Sequence, residues 1–258
     1  MVNLPFNKNK EKLGSTLDAA RRRFFALKTK LERNPKMREQ YNQLMKVYEE
    51  SKHIELLPIL IKDAYFTPHH AILKESCLTT ILRAVFDASF KSATGISLND
   101  CLMVGPTIQD GVFELILRFR VHLFAMTADI EKMYRQFLVH PSDRKYQCIL
   151  WQYNKNEPLK AYQLNTITYG TSCARFLATR CLKQLAEDEM NSFPRASSVL
   201  AKDFFVDDLV TGADEFEEAK KLRDELIMLT DGAGLKLRKW ISNDKGLMEE
   251  FNQCEDDL

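Results

Sequence analysis

Two adjacent carboxylates, Asp207 and Asp208, lie between apolar residues in the segment 203–212 (DFFVDDLVTG). Neighbouring carboxylates repel each other, so a hairpin that carries both at its turn makes most physical sense with a divalent cation bound there. A third candidate ligand, Asp129, ends the apolar run 121–128. Two divalent ions about 4 Å apart, bridged by such carboxylates, would clamp the attacking and leaving oxygens of a phosphoryl transfer. The three aspartates therefore predict a two-metal site.

A plain solvated turn is the alternative interpretation of the Asp-Asp pair. Asp is common in turns, because its side chain bonds the nearby backbone and it tolerates unusual dihedral angles. The flanking residues favour the metal site instead, since Phe204, Phe205 and Leu209 are strand formers that would hold the turn on a buried hairpin.

A metal-dependent phosphoesterase could use the same carboxylates. Sites of that kind usually add histidine or further acidic ligands. The five histidines of this chain show no ligand spacing around Asp129 or Asp207. The sequence therefore disfavours a phosphoesterase of this kind.

Length and composition indicate an ordinary globular protein. A chain of 258 residues with 45% hydrophobic and 28% charged residues can bury a sizeable core, as one large domain or two small ones. Lys and Arg number 37 and Asp and Glu 36, so any contact with nucleic acid must come from local basic patches. Net charge neither supports nor excludes such a partner.

Cysteine usage and the apolar runs bear on the compartment. The six cysteines form no C-x-x-C pair and lie mostly in apolar segments, as reduced and buried thiols do. The N-terminus has no apolar signal core, and no run of about 18 apolar residues occurs. We expect an intracellular, cytoplasmic protein without disulfides and without a membrane partner.

The first 53 residues predict a peripheral helical hairpin. Apolar residues recur at helical spacing over residues 17–31, after Ser15 or Thr16 as a cap, and Asn34-Pro35 ends that helix before a second stripe over residues 37–48. The basic run at residues 21–23 is either a solvated helix face or a phosphate contact.

The rest of the chain predicts an α+β protein with an antiparallel sheet and helices packed on one face. Residues 54–110 are irregular, with short extended stretches. The elements that follow are a strand at 121–127, a short helix at 130–137, strands at 146–153 and 162–169, a helix from a Thr171 or Ser172 cap to about 190, the aspartate hairpin, a helix capped by Asp214, and a strand at 235–240.

Several ordered motifs resemble the reverse transcriptase of Pao/BEL-type long-terminal-repeat retrotransposons and, more distantly, retroviral reverse transcriptases. The resemblance covers almost the entire chain. The matching segments are 65–74 (YFTPHHAILK), 82–89 (LRAVFDAS), 95–106 (GISLNDCLMVGP), 127–136 (TADIEKMYRQ), 164–171 (LNTITYGT), 205–212 (FVDDLVTG) and 237–243 (LRKWISN).

The resemblance implies reverse-transcriptase fingers and palm. It assigns residues 1–53 to the N-terminal helical hairpin, residues 54–120 to a fingers-like region, and residues 121–258 to an antiparallel palm that includes some fingers strands at 146–169, with no thumb. The implied activity is RNA-directed DNA polymerisation, which adds deoxynucleoside triphosphates to a primer on an RNA or DNA template. The remaining polyprotein segments of such elements, a protease, a ribonuclease H and an integrase, are expected partners. In a complete element, the protein would be associated with a particle.

The resemblance also implies roles for individual residues at the metal site. Asp129 and Asp207 would hold two Mg²⁺ ions, for which Mn²⁺ could substitute, with Asp208 assisting and the Ile130 carbonyl completing the shell. Mg²⁺ prefers oxygen ligands and retains water or phosphate in its other positions, which suits a site with few carboxylates and a triphosphate.

The nucleotide-binding residues implied by the resemblance lie in several motifs. The Tyr134 ring would stack under the incoming sugar and exclude a ribose 2′-hydroxyl, although without Asp129 it would be read as one more core aromatic. Lys239 would be a general acid for the pyrophosphate leaving group, although a solvent-facing lysine on a strand is the alternative. The full nucleotide-binding set is Lys74, Arg83, Tyr134, Tyr169, Gly170 and Val206.

Two residues depart from the pattern of the resembled family. In addition, no segment of the chain is expected to correspond to the thumb of such polymerases. Arg175 stands where a proline is usual and Phe205 where a tyrosine is usual. Because much of the affinity for nucleic acid comes from phosphate contacts, we expect weak processive synthesis by a chain without a thumb. A catalytically inactive remnant that keeps the fold and at most binds nucleic acid is the alternative hypothesis.

Overall fold

The computed structural model of the protein describes residues 1–58, 64–73 and 82–248. Within these residues the protein is mixed α+β, and all pairings between its strands are antiparallel, so the predicted class is confirmed. The chain divides into two compact units. The first unit comprises Met1–Gly105 and Phe137–Ala174, and the second comprises Pro106–Gln136 and Arg175–Leu258.

The elements are numbered along the chain. The helices are α1 (Leu17–Glu32), α2 (Pro35–Glu50), α3 (Leu98–Cys101), α4 (Val112–Phe119), α5 (Met133–Gln136), α6 (Pro141–Arg144), α7 (Ala174–Asp188), α8 (Pro194–Lys202) and α9 (Phe216–Gly232). The strands are β1 (Ile54–Leu56), β2 (His69–Leu73), β3 (Leu82–Phe86), β4 (Phe124–Ile130), β5 (Cys148–Trp151), β6 (Lys160–Leu164), β7 (Phe204–Phe205), β8 (Asp208–Ala213) and β9 (Leu237–Ser242).

The predicted helical hairpin is present at the start of the first unit. α2 begins at Pro35, and the Asn34 side chain accepts a hydrogen bond from the Met37 amide at 3.1 Å, which satisfies an unpaired donor of the first turn. Thr16 occupies the N-cap of α1 but does not cap the helix through its side chain, since its hydroxyl accepts instead from the Phe66 amide. The predicted side-chain cap is therefore replaced by a bond to another segment.

This hairpin is part of the core of the first unit, so its predicted peripheral position is wrong. Tyr41 and Met45 of α2 are fully buried, and the Tyr41 ring lies 4.7 Å from the Trp151 ring of β5. All four residues of β5 are buried, as in a strand that is covered on both faces. The three-stranded sheet β1-β6-β5 and the β2-β3 hairpin complete the unit.

A buried histidine joins these elements in the first unit. The Nε2 atom of His69 donates to the Leu150 carbonyl at 3.0 Å, so its Nδ1 atom accepts from the Tyr41 hydroxyl. Burial lowers the pKa of His69 from 6.5 to about 4 and raises the pKa of Tyr41 well above 10.0. Both side chains are therefore neutral in the folded protein at neutral pH.

Acid should destabilise the protein through His69. Between pH 6.5 and about 4 the unfolded chain binds the proton that the folded chain excludes, so the free energy of unfolding falls as the pH falls. The full loss is about 3 kcal/mol. Urea unfolding from pH 7.5 downward should show this loss in the wild type, and His69→Gln should remove it, whereas equal pH dependence in both proteins would contradict the assignment.

The second unit is built on a four-stranded sheet of order β7-β8-β4-β9. Side chains of β4 alternate, with Met126, Ala128 and Ile130 buried on one face and Asp129 on the other, less buried face. α9 packs against β4, β8 and β9, and its buried stripe includes Leu222, Leu226 and Leu229. One face of the sheet is thus covered, and the other carries Asp129.

Element boundaries differ from the predictions where apolar helices were not recognised. Residues 112–119 form α4, so β4 begins at Phe124 and Val121 remains 71% exposed. α8 was not predicted either. Asp214 does not cap α9, because Glu215 occupies the N-cap position and makes no side-chain capping bond.

Four of the six cysteines lie within the described residues. Cys101, Cys148 and Cys173 are buried free thiols and Cys181 is a partly buried one, as predicted, whereas Cys77 and Cys254 lie outside the described residues.

No helix in the described part of the chain has the length and apolar character needed to cross a membrane.

Candidate active site

The aspartate hairpin consists of β7 and β8 joined by the two-residue turn Val206-Asp207, with Phe205 paired to Asp208. Val206 has φ +60°, a conformation that is uncommon for a β-branched residue and that a two-residue hairpin turn requires at its first position. The Val206 amide donates to the Gln109 side chain at 3.0 Å. Gln109 therefore supports the turn, and nothing in the irregular sequence around it indicated that role.

The sheet brings Asp129 to the aspartate turn. Asp129 and Asp208 are directly opposed in the antiparallel pair of β4 and β8, so their Cα atoms lie about 4.5–5.5 Å apart and both side chains project from the same face. The Ile130 amide donates to the Asp207 carbonyl at 2.9 Å, which ties the turn to the end of β4. Residues almost 80 positions apart in sequence thus form one acidic group.

The electrostatics of the three carboxylates show that they interact. Burial raises the pKa of Asp207, and repulsion from Asp208 and Asp129 raises it further, while Lys239 partly opposes the rise. Burial also raises the pKa of Asp208, again with repulsion from Asp129. Like charges opposed across a strand pair destabilise a sheet, so this arrangement favours the binding of a positive charge.

Two cationic side chains of β9 lie beside Asp129. The pairing of β4 with β9 shifts register between Thr127 and Asp129, and Lys239, in the bulge that results, has φ +54°. Bulges redirect side chains and recur beside active sites. The Lys239 ammonium donates to Asp129 Oδ2 at 2.9 Å, and Arg238 Nη1 lies 3.0 Å from Glu131 Oε1.

The chemistry of the donor set fits a divalent cation. Asp129 Oδ1 is buried, has no hydrogen-bond partner in the described residues and lies 3.7 Å from Arg238 Nε. A buried carboxylate oxygen without a hydrogen bond is a suitable ligand for Mg²⁺. Among the described residues, however, no three His, Cys, Asp or Glu side chains are already grouped to hold a metal. A cation would share Asp129 with Lys239.

Tyr134, Arg175 and Phe205 belong to the second unit as well. Tyr134 is half-buried on the short helix α5, which follows β4 after a turn. Arg175 and Phe205, which differ from the residues usual in the motifs that the chain resembles, contact each other, since the guanidinium carbon lies 5.1 Å from the ring centroid. A cation–π pair of this kind links the first turn of α7 to β7.

The remaining predicted residues belong to the first unit or are not described. Arg83 is exposed on β3, opposite Ile72. Tyr169 is 41% exposed beside Gly170, which has φ +99°. Lys74 lies outside the described residues.

Asn99 holds the backbone around Gly170 and was not singled out from the sequence. Its amide nitrogen donates to the Gly170 carbonyl at 2.9 Å and to the Ser89 hydroxyl at 2.9 Å, and its oxygen accepts from the Ser172 amide at 2.8 Å. One side chain thus fixes both sides of the glycine. An asparagine on a short helix carries no sequence signal for that role.

Comparison with known proteins does not assign the chain to a family. Neither a scan against models of protein families nor a search of curated proteins finds a match. The motifs described above and the arrangement of the carboxylates are therefore what a functional proposal depends on.

Removing the Lys239 charge should change the titration of the aspartate turn. Since the ammonium lowers the pKa of both Asp207 and Asp208, the Lys239→Gln variant should show higher pKa values at both carboxyls. Carboxyl ¹³C NMR titration would measure them. Lys236→Gln is the matched control, because Lys236 is an exposed lysine just before β9, and equal effects of the two variants would contradict the prediction.

Proposed function

We propose that this chain is an RNA-directed DNA polymerase of the reverse-transcriptase kind, with fingers-like elements in the first unit and a palm in the second. The observation that supports the proposal most strongly is the placement of Asp129 directly opposite Asp208, with Asp207 next to it in the hairpin turn. The reaction is transfer of a deoxynucleotide to the 3′ hydroxyl of a primer.

The carboxylates provide oxygen ligands at the open face of the sheet. Asp129, Asp207 and Asp208, with the Ile130 carbonyl, would hold two Mg²⁺ ions, which supply charge stabilisation to the transferred phosphoryl group and lower the pKa of the primer hydroxyl. The protein contributes a rigid geometry, since β4 and β8 are paired along six residues and the turn is bonded to Ile130.

Lys239 is positioned to donate a proton at this site. The bulge in β9 directs its ammonium to the Asp129 carboxylate. When a triphosphate competes for the ammonium, the Nζ proton can pass to the pyrophosphate as the phosphodiester bond forms. Lys239 would then act as a general acid.

Two residues bear on the proposed substrate preference, each within its own unit. Tyr134 offers an aromatic ring two residues after the turn that ends β4, and it would exclude a 2′-hydroxyl from the sugar site. Arg83 presents an exposed guanidinium whose planar fork suits triphosphate oxygens.

A single-nucleotide incorporation assay tests the proposal. The full chain should extend a labelled primer by one deoxynucleotide on a short RNA or DNA template with Mg²⁺, and both EDTA and Asp207→Asn should abolish the product. Asp231→Asn, which removes a charge from an exposed position in α9 of the same unit, should retain full activity. Absence of any product in the wild type, with primer–template binding retained, would favour the inactive remnant instead.

A further inference from the structure

We propose that the outer face of α1, in the first unit, is a second nucleic-acid contact, a surface that binds single-stranded RNA or DNA. This surface, called the α1 basic face below, consists of Arg21, Arg22, Phe25 and Arg33, all of them exposed. The choice of nucleic acid as the partner rests on the proposed polymerase function. The surface itself rests on the observations that follow.

Charge is distributed very unevenly along the chain. Residues 1–38 contain eleven Lys and Arg against three Asp and Glu, a net charge of +8, whereas the remaining residues contain 26 against 33 and carry −7. An asymmetry of this size suggests a polyanionic partner for the basic part. A net charge near zero for the whole chain conceals it.

The arginines of the α1 basic face are available for a ligand. Within the described residues, no hydrogen bond or ion pair engages the guanidinium groups of Arg21, Arg22 and Arg33. Arg144 and Arg118, in contrast, are bonded to carbonyl or carboxylate oxygens of the protein. Guanidinium groups match phosphate oxygens in a two-point geometry, which makes unpaired arginines suited to a phosphate backbone.

The acidic residues of α1 do little to neutralise this surface. Glu32 is paired with Lys155 at 3.3 Å, and Asp18 lies in the first turn of the helix, where a carboxylate interacts favourably with the helix dipole. Arg22 and Arg33 are separated by eleven residues, or about 16 Å along the helix axis. The basic face therefore extends over most of the helix.

An exposed aromatic ring distinguishes a nucleic acid from other polyanions. Phe25 is 47% exposed, and it lies one helical turn from Arg21 and from Arg22. The buried stripe of α1 is formed by other residues, Ala20, Phe24, Leu27 and Leu31. A half-exposed ring flanked by arginines is a combination that binds single strands, because bases stack on the ring while phosphates contact the cations.

Binding of a labelled oligonucleotide tests this surface without involving catalysis. Fluorescence anisotropy would follow a fluorescein-labelled oligodeoxythymidylate of about 20 nucleotides, long enough to occupy one such site, on the full chain in EDTA. The variant Arg21→Gln/Arg22→Gln/Arg33→Gln should bind about tenfold more weakly, and the slope of log K against log salt should become shallower by about 2.

A matched triple variant controls for general charge. Lys183→Gln/Arg195→Gln/Lys221→Gln removes the same three charges from exposed positions on α7, α8 and α9, and it should bind as the wild type does. Equal losses in the two triple variants, or no loss in the first, would overturn the proposal. Circular dichroism would establish that all variants are folded.

The aromatic contribution separates a nucleic acid from an acidic protein. Phe25→Leu should weaken binding about fivefold or more because it removes the stacking ring, and Phe25→Tyr should restore it. If Phe25→Leu has no effect and polyglutamate displaces the oligonucleotide equally well, the partner is an acidic protein segment and the proposal is wrong. Because the assay contains no metal or nucleotide, failure of incorporation would leave this inference standing.

Discussion

The Asp129→Asn variant should lose single-nucleotide incorporation by about a thousandfold or more, because it removes the carboxylate opposite Asp208 without changing the size of the side chain. Asp129 also accepts the Lys239 ammonium, so both the metal ligands and the proposed proton donor depend on it. Incorporation under single-turnover conditions with saturating Mg²⁺ would measure the loss. Activity near the wild-type level would contradict the proposed reaction.

Loss of activity through misfolding can be distinguished from loss of a ligand. Asparagine gives up the ion pair with Lys239 but also removes repulsion from Asp207 and Asp208, so the free energy of unfolding should change by no more than about 1 kcal/mol. The pKa values of Asp207 and Asp208 should both fall, since Asp129 raises them in the wild type. A folded, inactive variant with unchanged carboxyl pKa values would place Asp129 outside this electrostatic group.

The Gly170→Ala variant should be destabilised by at least about 3 kcal/mol, since two effects combine at this position. A Cβ atom there would lie 2.2 Å from the Phe86 carbonyl oxygen, and φ is +99°. The contact is with backbone at the end of β3, which cannot rotate away as a side chain could. The variant should also disturb the turn that Asn99 holds beside Tyr169.

Gly95→Ala is the matched control for this effect. Gly95 also has a positive φ, +78°, but nothing lies within 4 Å of an added Cβ, so only the conformational term of about 1 kcal/mol applies. The two tryptophans lie in different units, Trp151 in the first and Trp240 in the second. Urea unfolding followed by fluorescence in a Trp240→Phe background would therefore report the first unit. Equal destabilisation by the two substitutions would contradict the steric account.

Local patterns in the sequence predicted much of the secondary structure. Helical spacing of apolar residues and the break at Asn34-Pro35 located α1 and α2, and Gly232 and Gly234 marked the end of α9. The predictions were wrong where the apolar residues showed no clear helical periodicity and no capping residue marked the start of a helix. Residues 112–119 form a helix that leaves Phe113 and Leu117 exposed. The apolar type of these two residues therefore did not indicate that they face outward.

The sequence by itself determined the residue types of the candidate site, namely three aspartates flanked by strand formers, because those signals depend on neighbours along the chain. Only the tertiary structure decided the pairing of Asp129 with Asp208, the support of Val206 by Gln109, and the bulge that directs Lys239 to Asp129. These features depend on strand register and on contacts between distant segments. A shift of one residue would turn Asp129 to the buried face, and the partners opposite Asp129 in this register, Asp208 of β8 and Arg238 of β9, are distant in sequence.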